Sequence, residues 1–195
     1  MKVQELFSEV RNTLQDLDKA YWDDSELLSY YNECKRNMAA ERLENKNTAT
    51  LTLDPLKNQY DTTGILRYIR AEDDEGTKRK LYPNDESGES DTTGIIILDY
   101  NKVYVNDPTI GSVITFSVVS MPNEDNMSSS VRIGDETALR YYILSKAYEK
   151  DADMGNFQKA DYFYNKFRIA MKMLLEASSA NYSAKVPNTT VSYFY

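Results

Sequence analysis

Apolar residues recur at helical spacing near both ends of the chain, and the clearest pattern lies in residues 134–177. In the second half of this stretch, six apolar residues alternate at spacings of three and four, which places them on one face of a helix. They are Phe157, Ala160, Tyr164, Phe167, Met171 and Leu174. Between the two halves, Gly155 is suited to a left-handed helix end and Asn156 to an N-cap. The pattern predicts an αα-hairpin of antiparallel helices in the core.

Two further helices are predicted at the N-terminus. Residues 2–19 have one apolar face, formed by Val3, Leu6, Phe7, Val10, Leu14 and Leu17. The next helix begins with Asp23 as N-cap and Glu26 three residues later, a capping box flanked by Trp22 and Leu27 as a hydrophobic staple. It continues to about Leu43 with a buried stripe of Leu27, Tyr31, Cys34 and Met38. Cys34 on that stripe is interpreted as a small core residue rather than a nucleophile.

The middle of the chain changes to short β-prone segments separated by turn residues. Strands are predicted at residues 48–53, 64–70, 95–98, 102–105 and 112–120. Residues 72–92 are dense in charged residues, Ser and Gly, and predict a solvated, mobile acidic loop. The fold class is therefore α+β. Its predicted parts are N-terminal helices in 1–45, an inserted β region in 46–122, the hairpin in 134–177 and an extended tail in 178–195.

Both hairpin helices carry more apolar surface than one core face needs. The second helix has an additional cluster opposite its seam, and the first helix is apolar on two sides. Because one small chain does not obviously cover all of these faces, they are candidate subunit interfaces, with packing inside the same chain as the alternative. The candidate interface residues are Tyr141, Leu144, Tyr148, Tyr162, Ile169 and Met173.

The C-terminal tail is a second candidate docking element. Its middle is polar, but it ends in three aromatic residues, and two valines would support an added strand. The candidate docking residues are Val186, Val191, Tyr193, Phe194 and Tyr195. A passive chain terminus is the alternative interpretation.

Composition narrows the possible functions. The net charge of −8 argues against gripping nucleic acid, which depends on Lys and Arg contacts to phosphate. With no histidine and one cysteine, the chain excludes disulfide frameworks, Cys/His zinc sites and His-dependent triads. No signal peptide or membrane span is predicted, so we expect synthesis in the cytoplasm and no membrane association.

No motif predicts catalysis, a metal site or a cofactor site. Asp-Thr-Thr-Gly occurs at residues 61–64 and 91–94, but aspartic proteases use Asp-Thr-Gly or Asp-Ser-Gly after an apolar strand. Both copies are better interpreted as turns leading into strands. The carboxylates at 73–75 and 85–86 lack calcium-loop spacing, which favours solvated charge. We therefore predict that the protein is not an enzyme and binds no cofactor.

Four segments in order resemble bacteriophage head-to-tail adaptor proteins. They are the helix opening at residues 22–33 (WDDSELLSYYNE), the strand end at 119–122 (VSMP), the run at 139–151 (LRYYILSKAYEKD), and the last helix with Ala160 and Phe167. The similarity covers both helical ends, roughly half of the chain, whereas residues 46–91 depart from it.

The resemblance implies a structural virion protein at the head–tail junction. It implies a ring of copies, usually twelve, that binds the portal protein above and tail proteins below, stabilises the filled head and lets DNA pass without sequence-specific binding. It brings no catalytic residues. The alternative is a non-viral, soluble helical scaffold or interaction protein.

Overall fold

The computed structural model describes residues 1–83, 94–99, 102–106, 110–150 and 154–183. Contacts divide the chain into two compact units. Unit 1 consists of Met1–Lys35 and Glu124–Tyr195, and unit 2 consists of Arg36–Asn123. The described residues form four helices and two four-stranded sheets, which agrees with the α+β class.

All four predicted helices are present. They are α1 (Val3–Leu14), α2 (Asp24–Arg42), α3 (Glu136–Lys150) and α4 (Met154–Ser183). Helix α1 is shorter than predicted, because Gln15 adopts a left-handed conformation with φ of 58° and its N–H bonds the Arg11 carbonyl. Leu17 therefore leaves the apolar face of the helix and is 67% exposed, which corrects its assignment to that face.

At the start of α2, one of the two hydrogen bonds of the predicted capping box is formed. The Asp23 carboxylate accepts the N–H of Glu26 at 2.7 Å, as expected of an N-cap. The Glu26 carboxylate does not complete the box. It accepts hydrogen bonds from the Lys150 ammonium at 2.7 Å and the Tyr30 hydroxyl at 2.9 Å. Cys34 is fully buried, which confirms that it is a core residue.

Helices α3 and α4 pack against each other through part of the predicted seam. Ala160, Phe167 and Met171 are buried, whereas Phe157 and Tyr164 remain 48% and 47% exposed. The Tyr142 ring meets Phe167 edge-on, with 5.0 Å between centroids. Ser145 donates its buried hydroxyl to the Ala160 carbonyl at 3.0 Å. A small residue and a serine thus bring the two backbones close together at this point.

The ends of α4 differ from the prediction. Gly155 and Asn156 lie inside its first turn and do not form the break, and the Asn156 side chain accepts a hydrogen bond from Lys159 at 3.3 Å. Residues 151–153 lie outside the described part. At its other end α4 continues to Ser183, six residues into the predicted extended tail. Polar residues without Gly or Pro do not stop a helix, and the next proline is Pro187.

Asp125 anchors the chain where it re-enters unit 1. Its carboxylate accepts hydrogen bonds from the Tyr31 hydroxyl at 2.9 Å and the Lys35 ammonium at 2.6 Å. Asn32 pairs with both backbone groups of Asp125, at 2.9 and 3.2 Å. Burial and the Asp125 carboxylate raise the pKa of Tyr31, so its hydroxyl stays a donor. The exit and the return of the chain are thereby fixed to each other.

Unit 2 contains two sheets that share one apolar core. The strands are β1 (Lys46–Thr52), β2 (Gln59–Asp61), β3 (Ile65–Asp73), β4 (Lys78–Arg79), β5 (Leu81–Pro83), β6 (Gly94–Asp99), β7 (Lys102–Asn106) and β8 (Val113–Ser120). One sheet has the order β1-β8-β3-β4 and the other β2-β7-β6-β5. Their inward residues form a single cluster of Ile65, Ala71, Ile95, Val103, Val105, Ile114, Phe116 and Val118.

The register in the first sheet explains how its largest core side chain fits. Phe116 on the central strand β8 is opposite Ala49 on β1 and Ala71 on β3. Two small neighbours leave space for the buried ring, and Tyr68 meets it edge-on at 5.3 Å. The strands missed by the sequence prediction are β2, β4 and β5, which have only two or three residues each and therefore no readable alternation.

The acidic stretch is partly structured, which corrects the prediction of a solvated loop. Asp73 ends β3 and is only 6% exposed. Its carboxylate accepts the N–H groups of Glu75 at 3.0 Å and Thr77 at 2.7 Å, and pairs with Arg79 at 2.8 Å. Burial would raise the pKa of Asp73, but Thr77 and Arg79 lower it below its usual range. The rest of the predicted loop, residues 84–92, lies outside the described part.

A matched pair of glycine substitutions tests the packing at the β3–β4 turn. A Cβ added at Gly111 would clash with the carboxylate of Asp74, which accepts hydrogen bonds from Ser112. Gly111→Ala should therefore lower the free energy of unfolding by about 1 kcal/mol, the value of a lost hydrogen bond.

Gly155 has open space around it within α4, so Gly155→Ala should raise the free energy of unfolding by roughly 0.5–1 kcal/mol. Both variants are measured by thermal unfolding followed by circular dichroism. A Gly111→Ala protein that melts at or above the wild-type temperature would contradict the close packing of Gly111 on Asp74.

Candidate interaction surfaces

The outer face of α4 is an exposed apolar surface in unit 1. Tyr162, Ile169 and Met173 are 56%, 55% and 65% exposed and lie on one side of the helix; we call them the α4 stripe. The Lys166 ammonium lies 5.4 Å from the centre of the Tyr162 ring. These three residues, predicted to lie opposite the seam, are thus exposed to solvent in the single chain.

The second predicted face, on α3, is largely covered by the chain itself. Leu144 is only 2% exposed, which for this residue favours the alternative, packing inside the same chain. Tyr148 stacks on Phe163 of α4 with ring centroids 5.7 Å apart and an interplanar angle of 2°. Tyr141 contacts the same ring at 6.2 Å. Tyr141 and Tyr148 are half-buried, and burial raises the pKa of Tyr148.

The predicted docking residues of the tail, Val186, Val191, Tyr193, Phe194 and Tyr195, lie outside the described residues.

The α1–α2 loop, residues 15–23, is held by a buried carboxylate that sequence reasoning missed. Asp16 accepts the backbone N–H groups of Ala20 at 3.0 Å, Tyr21 at 3.1 Å and Trp22 at 3.2 Å. Arg11, only 4% exposed, binds the same carboxylate at 2.8 Å and Asp24 at 2.8 Å. Through these two ion pairs the buried Arg11 connects α1, the loop and the first turn of α2.

The hydrogen bonds around Asp16 keep it charged despite its burial. Burial alone would raise its pKa, but the three N–H donors and the Arg11 guanidinium together lower the pKa below the ordinary 3.8. The Lys19 ammonium and Arg11 likewise lower the pKa of Asp24. A signal existed in the sequence: Arg11 lies between Val10 and Leu14 beside the apolar face of α1, where a cation needs a partner.

The fixed loop presents two apolar side chains to solvent. Leu17 is 67% exposed and Tyr21 is 48% exposed. Tyr21 has two neighbours: its ring meets Trp22 edge-on at 4.6 Å, and the Lys150 ammonium lies 5.2 Å from its centre. The Trp22 indole N–H in turn donates to the Ala147 carbonyl of α3 at 3.2 Å. The loop is therefore connected to the hairpin as well as to α1.

Unit 2 contains an open cleft of about 620 Å³ at one end of its sheets. Its lining includes Asp54, Tyr60 and Ser112, and their polar groups already have partners. The Tyr60 hydroxyl accepts the Asp54 N–H at 2.9 Å and donates to a backbone carbonyl, whereas Asp54 accepts the Leu56 N–H at 3.0 Å. These contacts stabilise the turn between β1 and β2.

Within the described ranges, no group of three or more His, Cys, Asp or Glu side chains is arranged to hold a metal ion. In the same part of the chain, no helix combines the length and the apolar character required to span a membrane.

Comparison with known proteins identifies the class to which this arrangement belongs. Residues 1–190, nearly the whole chain, match a family model of bacteriophage head-to-tail adaptors, a class of structural virion proteins. That model describes the SU10 adaptor protein, and the chain belongs to this family. A search of curated proteins finds no match.

Family membership decides between the two classes left open by the sequence. It favours a phage structural protein over a non-viral scaffold, and it implies interaction with phage portal and tail proteins in general.

The Arg11–Asp16 pair makes a prediction about stability. Asp16→Asn keeps the shape but removes the charge, leaving Arg11 with less compensation, and should lower the free energy of unfolding by roughly 3 kcal/mol at pH 7. Because the folded-state pKa of Asp16 is lowered, its contribution is fully present above pH 3.8 and is lost as pH falls through the folded-state pKa.

Asp16→Asn should therefore also weaken the acid dependence of unfolding, measured by urea denaturation between pH 7 and pH 2. Asp18→Asn, an exposed change in the same loop, is the matched control and should stay within about 0.5 kcal/mol of wild type. Equal effects of the two substitutions would mean that the buried pair does not stabilise unit 1.

Proposed function

We propose that copies of this chain form a ring, twelve-membered as in the adaptors that it resembles, between the portal and the tail of a phage. In this position the ring stabilises the filled head and lets DNA pass to the tail. The match along residues 1–190 carries the proposal, since it identifies a head-to-tail adaptor.

The α4 stripe supports the ring. Three large apolar side chains, each more than half exposed, lie along one helix of a single chain. Contiguous apolar surface of this kind is characteristic of protein interfaces. Tyr162, Ile169 and Met173 are therefore the proposed contact with a neighbouring copy, with the half-buried Tyr141 and Tyr148 at its margin.

The overall acidity supports passage of DNA without binding. A net charge of −8 repels phosphates, and non-specific DNA affinity depends on Lys and Arg contacts that release counterions. A ring of such chains offers little adhesion to a duplex that moves through it.

The aromatic end of the chain supports attachment to a partner. Tyr193, Phe194 and Tyr195 are amphipathic or apolar anchors of the type that dominates binding energy, and Val186 and Val191 suit an added strand. We propose that this tail docks on the portal or on a neighbouring copy during assembly.

The α4 stripe can be tested by substituting Ile169→Asp and Met173→Asp together. Two carboxylates placed in an apolar subunit contact must lose their hydration there, which costs several kcal/mol, so the variant should remain helical but form no rings. Assembly is measured for the full chain, alone and with portal protein of the same phage, by sedimentation velocity and electron microscopy.

Ile133→Asp is the matched control, because Ile133 is 91% exposed and lies in the loop before α3. It should assemble as wild type does. If the α4 variant forms normal rings, the α4 stripe is not part of the subunit contact. If the wild-type chain forms no ring even with the portal protein, the proposed function is refuted.

Deletion of residues 184–195 tests the tail. The truncated protein retains α1 to α4, so its helical circular dichroism should be unchanged, whereas its attachment to filled heads should be lost. Attachment is measured by co-sedimentation with tail-less heads. Undiminished binding would place the attachment surface on the folded part of the chain.

A further inference from the structure

The exposed position of Leu17 calls for an explanation, because hydrogen bonds and an ion pair hold the loop around it. Asp16 fixes the following backbone through three N–H groups and is itself held by Arg11, yet the next side chain, Leu17, is 67% exposed. Tyr21, at the other end of the same loop, is 48% exposed. An ordered loop that holds apolar side chains in water has the properties of a docking element.

The loop is also acidic. Within the loop, residues 15–23, there are three carboxylates and one lysine. That lysine, Lys19, is bound to Asp24, whereas Asp18 is exposed beside Leu17. The exposed surface of the loop therefore combines the apolar side chains of Leu17 and Tyr21 with the negative charge of Asp18.

Helix α4 has the complementary character. It carries four basic and two acidic residues, a net charge of +2, in a chain whose net charge is −8, so the remainder carries −10. Lys159 and Lys166 flank the α4 stripe on one side at helical spacing, and Lys172 flanks it on the other. Lys172 lies 3.9 Å from Glu176, with both side chains mostly exposed.

We propose that, within the ring, the α1–α2 loop of one copy docks on the α4 stripe of the next copy. Leu17 packs on Ile169 and Met173, and Asp18 faces the lysines that flank the stripe. Both surfaces are exposed within the single chain, so they do not cover each other inside one copy. Two different surfaces that meet between copies form a heterologous contact, the type that closes into rings. The inference rests on the proposed ring.

Disulfide trapping between differently labelled copies tests the contact. One preparation carries Leu17→Cys and the other Ile169→Cys, and only one of them has an affinity tag, so that a mixed disulfide is identified by its mass. The native Cys34 is fully buried, and each variant alone reports any background. The two are mixed, assembled with portal protein and oxidised briefly.

The mixed disulfide should form at least about tenfold faster than either symmetric one, because an interface holds the two thiols at a high effective concentration. The control uses Ile133→Cys in place of Leu17→Cys, because Ile133 is as apolar as Leu17 and is 91% exposed. The control should give no enrichment of the mixed disulfide. Rings that form normally without enrichment of the mixed disulfide would overturn this inference and leave the proposed ring intact. Absence of rings from the wild-type chain would refute both.

Charge reversal gives an independent measurement. Asp18→Lys should raise the protein concentration needed for half-assembly by about tenfold, and Lys166→Asp combined with Lys172→Asp should do the same. The triple variant should recover part of the loss, since opposite charges again face each other. Additive losses in the triple variant would show that Asp18 does not face these lysines.

Discussion

The Arg11–Asp16 ion pair is the interaction on which the arrangement of unit 1 depends. A guanidinium that is almost fully buried requires anionic partners, and Asp16 and Asp24 supply them from the loop and from the start of α2. Asp16 also accepts hydrogen bonds from three consecutive N–H groups of the loop. The same carboxylate therefore balances the charge of Arg11 and fixes the path of the loop. The exposure of Leu17 and Tyr21 follows from that path, and so does the position of Trp22 against α3.

The helices could be predicted because each has a readable period. The β region could be predicted only in part: strands of five or more residues show alternation or, in β6, an apolar run, whereas β2, β4 and β5 are too short to show either. Errors arose where a tertiary contact outweighed local character. Asp73 looked solvated among other charges, but the backbone of its turn and Arg79 enclose it. Leu144 looked like surplus surface because sequence alone does not show which side of α3 the α4 helix covers.

The candidate interface shows the same limit. Periodicity correctly indicated that Tyr162, Ile169 and Met173 lie away from the seam, since their spacing fixes their side of the helix. It did not indicate the α1–α2 loop, because Leu17 continues the spacing of α1 and looks like one more residue of its apolar face. The left-handed Gln15 ends the helix early and so separates Leu17 from that face. Periodicity does not show such a helix end, so it places Leu17 on the apolar face when the residue is exposed.

The Asp125 anchor has a consequence for how such a chain varies. The β unit is inserted between Lys35 and Glu124, and the ends of unit 1 at this insertion are joined by the Lys35–Asp125 ion pair and by the two backbone bonds of Asn32. Unit 1 therefore holds its own two chain ends together and does not depend on the insert to do so. Because these contacts lie within unit 1, a change in the length or shape of the inserted unit leaves them in place as long as its two ends stay close together.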